Sequence, residues 1–421
     1  MQMEIINTGS ELMLGFVLNT HQQWLCRQLT DIGYVVNRQT AINDSGAAID
    51  EAVREALARA DVVITTGGLG PTSDDITRDR IAKMLGCKLR EDAEALRNLE
   101  DFFQRRHRRA PESTRVQALV PEGAIVLQNA HGTAPGLVME IASGRFRQAG
   151  GGSLLVMLPG PPRELRPMFT EQVVPLLKEK CPLPSEFVCR VLKTTGLGES
   201  LIEERIAGPL RELTDAGMDL GYCARVGEVD VRCAGFGQQG REQTEAAESK
   251  IRELLGEYIY GTGDDGLEEV VVKLLTEQGK TLAIAESCTG GFIGNRITNV
   301  PGASAVLLAG WVTYSNAAKQ KCLRVNEATL KDHGAVSEAA AREMAQGALK
   351  VSGADFALSV TGIAGPAGET EEKPVGTVFI ALATKRSTTV QRQINRYDRE
   401  TFKWVTSQQA LEMIRRAAMA R

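Results

Sequence analysis

The stretch from Thr65 to Asp79, TTGGLGPTSDDITRD, constrains the fold of this chain more than any other. It follows the short apolar run that starts at Asp61, and it leads into a predicted helix that starts at Ile76. A strand, a glycine-rich turn and a helix N-terminus together form a cradle for phosphate, because free N–H groups and the helix dipole favour an anion. An ordinary turn with an aspartate cap is the alternative interpretation, and the spacing matches neither a Walker loop nor a dinucleotide fingerprint.

Two adjacent carboxylates, Asp74 and Asp75, add a second feature to this stretch. Carboxylate oxygens are the ligands that hard divalent cations prefer. The pair therefore stands where a cation would bridge to phosphate oxygens.

Strands and helices alternate along the first third of the chain. The order of elements predicts a parallel sheet with helices on both faces. In such sheets the turns after the strands converge, so the loops Thr8–Gly15 and Gly67–Asp79 are expected to share one crevice. The predicted elements are strands at Met3–Asn7, Val35–Gln39 and Asp61–Thr65, and helices at Asn19–Ile32, Ser45–Arg59 and Ile76–Leu85.

Two further loops of small residues, Asn129–Gly136 and Leu158–Leu165, adjoin apolar strands. Each loop taken alone is equally consistent with a simple turn. Four such loops in one domain favour a ligand crevice. Pro162 is predicted to open a helix, since proline suits the first helical position.

The middle of the chain predicts a small α+β unit between linkers at Leu183–Ser185 and Gly261–Gly266. A KH domain that clamps nucleic acid needs a Gly-x-x-Gly loop with basic neighbours. The loop Thr195–Glu199, TGLGE, has a different spacing and is followed by acid. We therefore expect a structural or dimer-building connector rather than an RNA-binding module.

The last third contains a strand at Thr281–Ala285 followed by Glu286-Ser-Cys-Thr-Gly-Gly, which opens another helix. This arrangement again predicts an anion site. Further along, Ser304 precedes a predicted strand, whereas Tyr314 and Lys319 follow it. A lysine desolvated in a cleft loses its proton more readily and can activate a hydroxyl. Taken alone, a serine at position 304 is more often a helix or strand cap, and a lysine at position 319 is more often a solvated surface residue.

Composition excludes several classes of protein. The formal net charge of -4 gives no general nucleic-acid footprint. The eight cysteines are scattered without a CxxC pair, which is typical of reduced thiols in the cytoplasm. No apolar run approaches the roughly 18 residues of a membrane span. Because the chain begins directly with a strand, we expect no signal peptide and a cytoplasmic protein.

The N-terminal motifs TGSEL, GGLGPTSDDIT, GTAPG and PGPPRE, which begin at Thr8, Gly67, Gly132 and Pro159, resemble those of the CinA family. The resemblance implies a domain of the MoaB/MogA type that hydrolyses ADP-ribose to AMP and ribose 5-phosphate with a divalent metal (Mg, Co or Mn). Asp74 and Asp75 would be catalytic. The implied metal ligands are Glu11, Asp74, Asp75 and Asp79, and the implied substrate-binding residues are Thr8, Ser10, Gly67, Gly68, Gly70, Thr72, Gly132, Thr133, Pro159 and Gly160.

Six C-terminal motifs are similar to those of the C-terminal CinA domain: ESCTGG, PGAS, YSNAAK, GAVS, TGIAGP and KPVGT. The resemblance implies a cofactor-free amidohydrolase that converts nicotinamide mononucleotide to its nicotinic acid form and ammonia. Ser304 would be the nucleophile, Lys319 the general base and Tyr314 a proton shuttle, with Ser287 as the alternative nucleophile and Cys288 a weaker candidate. The implied substrate-binding residues are Ser287, Thr289, Gly290, Thr361, Gly362 and Gly365.

The prediction is thus an α/β protein with three domains. A MoaB/MogA-like three-layer domain spans residues 1–182, a KH-like α+β connector 183–263, and an α/β amidohydrolase domain 264–421. The partners expected are the two nucleotides and a second copy of the chain in a homodimer, without nucleic acid or membrane. One alternative keeps only the amidohydrolase active and makes the first domain a nucleotide or pterin sensor; another is a non-enzymatic ligand sensor or assembly factor.

Overall fold

A computed structural model describes residues 1–147 and 151–420. Contacts between Cα atoms divide the chain into two compact units, Met1–Phe187 and the remainder from Val188 onward. Each unit is described by itself.

The first unit is built on a six-stranded sheet in the order β2-β1-β3-β8-β7-β6. Strands β1, β2, β3 and β8 are parallel, whereas β7 and β6 are antiparallel to their neighbours. The small pair β4 and β5 forms a second, antiparallel sheet. The strands are β1 Met3–Thr8, β2 Val36–Ile42, β3 Val62–Thr66, β4 Leu89–Glu91, β5 Leu119–Pro121, β6 Ile125–Leu127, β7 Gly136–Ile141 and β8 Ser153–Leu158.

Helices cover both faces of this sheet and make it the middle of three layers, because successive residues of a central strand point to opposite faces. Ile5 belongs to one buried cluster with Leu25, and Ile6 belongs to the other with Val53. Fully burying such a side chain contributes roughly 1.5–3 kcal/mol. The helices are α1 Ser10–Met13, α2 Thr20–Asp31, α3 Gly46–Leu57, α4 Thr77–Met84, α5 Ala93–Gln104, α6 Pro162–Met168 and α7 Val174–Lys180, with a 3-10 helix at Glu112–Ala118 and a π-helix at Phe169–Val173 joining α6 to α7.

The second unit begins with a four-stranded sheet in the order β10-β11-β9-β12, covered by two helices. This is the predicted small α+β unit. Strand β10 is an addition to the predicted elements, because its sequence DLGYCAR lacks a continuous apolar run. The elements are β9 Phe187–Thr195, α8 Glu199–Asp215, β10 Asp219–Arg225, β11 Glu228–Phe236, α9 Gly237–Leu255, a 3-10 helix at Gly256–Tyr258 and β12 Ile259–Thr262.

The remainder of the second unit is a five-stranded mixed sheet in the order β14-β13-β15-β16-β17. Helices lie on both faces, and Ser337 caps α14 as its sequence predicts, accepting 3.1 Å from the Ala340 amide. The elements are α10 Leu267–Glu277, β13 Leu282–Glu286, α11 Phe292–Thr298, a 3-10 helix at Ala303–Ala305, β14 Leu307–Val312, α12 Asn316–Leu323, α13 Glu327–Asp332, α14 Glu338–Ser352, β15 Phe356–Gly362, β16 Thr377–Thr384, β17 Thr388–Ile394 and α15 Arg399–Met419.

These folds confirm the predicted α/β class with its three parts. The three strands predicted to be parallel, β1, β2 and β3, are parallel, whereas β6 and β7, for which no orientation was predicted, run antiparallel to their neighbours. None of the helices in residues 1–147 and 151–420 combines the length and the apolar character needed to cross a bilayer.

Candidate functional sites

The four loops singled out in the first unit meet at one cavity of about 350 Å³. They converge because β1, β3 and β8 are parallel neighbours, so the turns that follow them leave the same edge of the sheet. The predicted residues that line the cavity are Thr8, Glu11, Gly67, Gly68, Gly70, Asp74, Asp75, Thr133, Pro159 and Gly160.

Glycine is required where the turn after β3 passes close to β1. Gly67 has a φ of 97°, which other residues rarely adopt, and a Cβ there would lie 2.7 Å from the Thr8 carbonyl oxygen. The neighbouring Gly68 likewise has a positive φ, and a Cβ there would collide with Thr77. The two glycines therefore let the backbone line the cavity directly.

Four predicted residues of the first unit are not among the residues that line the cavity. The Thr72 hydroxyl lies 2.5 Å from both the Asp74 and the Asp75 carboxylates, and its hydrogen bond lowers the pKa of Asp74. Asp79 is paired with Arg78 at 2.7 Å. The Ser10 amide donates to Asp44 at 2.7 Å. Gly132 contacts the Glu164 carboxyl, which leaves no room for a side chain there.

Sequence reasoning missed three polar residues of this cavity: Asp44, Gln117 and Glu164. Glu164 is buried and accepts 2.8 Å from the Asn129 amide, and burial raises the pKa of its carboxyl. Its position in PGPPRE, two residues into a predicted helix, was the available signal. Asp44 and Gln117 belong to segments without glycine-rich motifs, so no signal marked them.

Carboxylates from three separate segments, Glu11, Asp44 and the Asp74–Asp75 pair, face the same cavity. Their oxygens are the donor type that a hard divalent cation takes. Among the residues that the structure describes, however, no three His, Cys, Asp or Glu side chains form a ready-made metal site. The carboxylates thus fit a cation in chemistry without forming a closed ligand set.

A buried lysine marks the second unit. Lys319, on α12, is 1% exposed, and its Nζ donates to the Ser287 Oγ at 3.0 Å and to the Thr313 carbonyl oxygen at 2.8 Å. Desolvation lowers the pKa of the Lys319 amine, because burial disfavours the charged form. A neutral amine within reach of a serine hydroxyl is the arrangement that removes a proton from that hydroxyl.

The structure does not bring Ser304 to this lysine. Ser304 lies in the 3-10 helix before β14, whereas the Lys319 amine contacts Thr313 just after β14. A six-residue strand spans about 20 Å at roughly 3.3 Å per residue. No hydrogen bond joins Ser304 to Lys319 within residues 1–147 and 151–420.

The Tyr314 hydroxyl contacts an arginine, whereas its predicted role as a proton shuttle implies contact with the catalytic serine or lysine. Its side chain is exposed, and its hydroxyl accepts 2.9 Å from Arg399 Nη2. Its carbonyl oxygen lies 3.4 Å from the Lys319 amine. Tyr314 is therefore joined to Lys319 through the backbone and to α15 through its hydroxyl.

The thiol beside Ser287 is unsuited to nucleophilic attack. Cys288 is buried, and burial raises the pKa of its thiol to about 12. Since the thiolate is the reactive form, this cysteine stays protonated near neutral pH.

The sequence predicts an anion site at the helix N-terminus after Ser287. In the structure a carboxyl group of the protein itself occupies this position. The buried Glu286 carboxylate accepts backbone N–H bonds from Gly291 at 3.0 Å, Ile293 at 3.2 Å and Gly294 at 2.8 Å. These are the donors that the sequence predicts for a phosphate. A substrate phosphate therefore needs another partner.

The other predicted residues of this unit divide into two groups. The Thr289 hydroxyl is buried and has no hydrogen-bond partner among the described residues, and the Thr361 hydroxyl donates 2.8 Å to the Ala335 carbonyl oxygen. Gly362 ends β15, and the Gly365 carbonyl oxygen accepts 3.0 Å from Arg399 Nη1. Gly290, with a φ of 66°, is exposed in the turn beside Ser287.

Comparisons with known families match the three parts of the chain in order. Residues 4–179 match the family model "Probable molybdopterin binding domain", residues 189–261 match "Damage-inducible protein CinA KH domain", and residues 264–418 match "CinA C-terminal domain".

Relatives of full length also match. The chain is 45% identical over 413 residues to a CinA-like protein of Akkermansia muciniphila, covering 97% of this chain and 96% of that protein. It is 43% identical over 425 residues to a CinA-like protein of Kosmotoga olearia, covering 100% and 99%. Among solved structures, the competence/damage inducible protein CihA of Agrobacterium tumefaciens is 41% identical over 37% of this chain and 97% of its own, with a TM-score of 0.34.

Proposed function

The chain belongs to the CinA family, and we propose that its second unit hydrolyses the amide of nicotinamide mononucleotide to nicotinic acid mononucleotide and ammonia. One observation carries this proposal. The buried Lys319 amine contacts the Ser287 hydroxyl at 3.0 Å, and its pKa is lowered by desolvation. Ser287, the alternative in the sequence, therefore replaces Ser304 as the proposed nucleophile.

The reaction follows from these two groups. The neutral Lys319 amine takes the proton of the Ser287 hydroxyl while Oγ forms a bond to the amide carbon. The resulting ammonium returns the proton to the amide nitrogen, the C–N bond breaks, and ammonia leaves. Water then attacks the acyl-serine with the same amine as base, which releases the carboxylic acid and restores Ser287.

The test is ammonia release from nicotinamide mononucleotide. We expect Ser287→Ala to abolish release and Ser304→Ala to retain it, because only Ser287 contacts the amine. If Ser304→Ala is inactive and Ser287→Ala is active, Ser304 is the nucleophile. If the unmodified protein releases no ammonia, the amidase proposal is wrong.

A second activity is favoured by the cavity of the first unit. We infer hydrolysis of ADP-ribose to AMP and ribose 5-phosphate there, because glycine-rich turns and carboxylates line the same cavity. Glu11, Asp44, Asp74 and Asp75 are the residues that would hold a divalent cation. Such a cation, when bound, neutralises phosphate charge.

This second activity is tested by measuring AMP from ADP-ribose with and without a divalent cation. Production of AMP that is unaffected by a chelator would contradict the carboxylate roles. Binding of ADP-ribose or a pterin without turnover would make the first unit a sensor or assembly module, which is the competing proposal.

A further inference from the structure

A cavity of about 890 Å³ lies within the second unit, and we call it the junction cavity. One wall is the turn between β10 and β11 of the KH-like part, with Arg225 and Val226. The opposite wall is the start of α15, with Arg399, Lys403 and Trp404. The indole Nε1 of Trp404 donates 2.9 Å to the Val226 carbonyl oxygen and fixes the turn against the helix.

The charges on this wall favour an anion. Arg225, Arg399 and Lys403 line the cavity against two carboxylates, Glu228 and Glu400. Arg225 is paired with Glu228 at 3.3 Å. Arg399 and Lys403 form no ion pair within residues 1–147 and 151–420; Arg399 donates only to uncharged oxygens. Two cations without a carboxylate partner therefore face the cavity, and a phosphate would bind them through charge-assisted hydrogen bonds.

The apolar part of the wall suits a flat ring. The rings of Phe292 and Trp404 have centroids 6.1 Å apart at an interplanar angle of 59°. The Lys403 amine lies 5.6 Å from the centroid of the Phe292 ring, so cation and aromatic surface are adjacent. Aromatic side chains beside cations are the combination with which proteins bind the base and phosphate of nucleotides.

The junction cavity adjoins the proposed amidase residues. Phe292 begins α11 directly after the turn that carries Ser287. Arg399 donates both to the Tyr314 hydroxyl and to the Gly365 carbonyl oxygen, and the carbonyl oxygen of the same Tyr314 lies 3.4 Å from the Lys319 amine. Because the Glu286 carboxyl group already occupies the helix N-terminus there, we assign the phosphate to the cations of α15.

We propose that the junction cavity binds the ribose phosphate part of the nucleotide amide, with Lys403 and Arg399 on the phosphate and the β10–β11 turn as one wall. This inference rests on the amidase function proposed above. It makes the KH-like part a component of the substrate site instead of a connector alone. Selectivity for a phosphorylated substrate over its nucleoside then depends on the charge of Lys403 and on an uncharged side chain at Val226.

The test compares nicotinamide mononucleotide with nicotinamide riboside, which lacks the phosphate. Calorimetry on full-length Lys319→Ala measures binding without turnover, and KM on the active protein is the second readout. We expect Lys403→Ala and Val226→Glu each to weaken binding of the mononucleotide by about tenfold or more, as loss of a charge-assisted contact or an added like charge would. Affinity for the riboside should change less than about threefold, because it carries no phosphate charge.

The control for these variants is Lys350→Ala, which removes an exposed lysine on α14, away from the cavity, and should retain the affinity of the parent protein. Val226→Gln has the size of the glutamate without its charge, so any effect it has should be the same for the mononucleotide and the riboside. Unchanged mononucleotide affinity in Lys403→Ala and Val226→Glu, or no binding to the parent, overturns the cavity proposal even if ammonia is released. Absent ammonia release with phosphate-dependent binding overturns the amidase alone.

Discussion

The cavity of the first unit and the Ser287–Lys319 pair of the second differ in how the protein sets the charge of their ionisable groups. In the first, Asp74 is fully exposed, and a hydrogen bond from Thr72 favours its charged form. In the second, Lys319 is buried and desolvation favours its neutral form. An open carboxylate site suits a charged ligand or cation, whereas a buried amine suits proton transfer. The two regions thus predict different chemistry and different responses to substitution.

Removing the buried amine is expected to have the largest effect. Lys319→Ala should lower the rate of ammonia release by about 10²–10⁴-fold, the usual contribution of a general base. Lys319→Arg should not restore it, because a guanidinium stays protonated. Steady-state assays measure both. If either variant releases ammonia at nearly the rate of the parent protein, the buried Lys319 amine is not the general base, and the proposed difference between the two regions is wrong.

Removing the Asp74 and Asp75 carboxylates should affect only the first unit. Asp74→Ala combined with Asp75→Ala should reduce AMP formation from ADP-ribose to background, while ammonia release stays within about twofold, because the carboxylates belong to the first unit and the Ser287–Lys319 pair to the second. Parallel assays of both products make this comparison. Loss of both products would show that the two regions are coupled.

The pH dependence of ammonia release should report the lysine. Because the folded pKa of Lys319 is lowered, the amine is neutral at pH values where a solvated lysine is charged, and the rate should rise with pH and level off below pH 10.5. The same shift makes stability rise with pH between the folded and unfolded pKa values, because the unfolded state binds the extra proton there. A rate that keeps rising above pH 10.5 would argue against a desolvated base.

Weakening the support behind Ser287 should have a moderate effect. Glu286→Gln replaces one acceptor of the three N–H bonds with a donor, which should cost about 1–3 kcal/mol of unfolding free energy. Urea titration measures that cost. If the unfolding free energy of Glu286→Gln equals that of the parent protein, the Glu286 carboxylate does not hold the turn. The three backbone N–H groups at the start of α11 would then be available to a phosphate.

The smallest effect is expected at the neighbouring thiol. Cys288→Ser should leave ammonia release within about threefold, because the pKa of about 12 keeps the thiol protonated. Complete loss of ammonia release in a folded Cys288→Ser protein would indicate that the Cys288 thiol is the nucleophile.

Local sequence was sufficient for much of the crevice of the first unit. Alternating strands and helices place the turns after parallel strands at one edge, so the order of elements assigns the loops Thr8–Gly15 and Gly67–Asp79 to one cavity. The loops with Thr133 and Gly160 were marked by their small-residue motifs. The same kind of pattern predicts the strand at Thr281–Ala285 and the helix that follows it in the second unit. Strand β10 lacks a continuous apolar run, and the sequence pattern therefore does not reveal it.

Tertiary structure alone decided the rest. Whether Ser287 or Ser304 reaches Lys319 depends on which end of β14 each occupies, and motif spacing leaves that open. The capping of α11 by Glu286 and the wall that Arg225 and Val226 contribute to the junction cavity are set by how the folded chain brings its segments together. Desolvation, which lowers the pKa of Lys319, results from tertiary packing and cannot be predicted from the amino-acid sequence around the lysine.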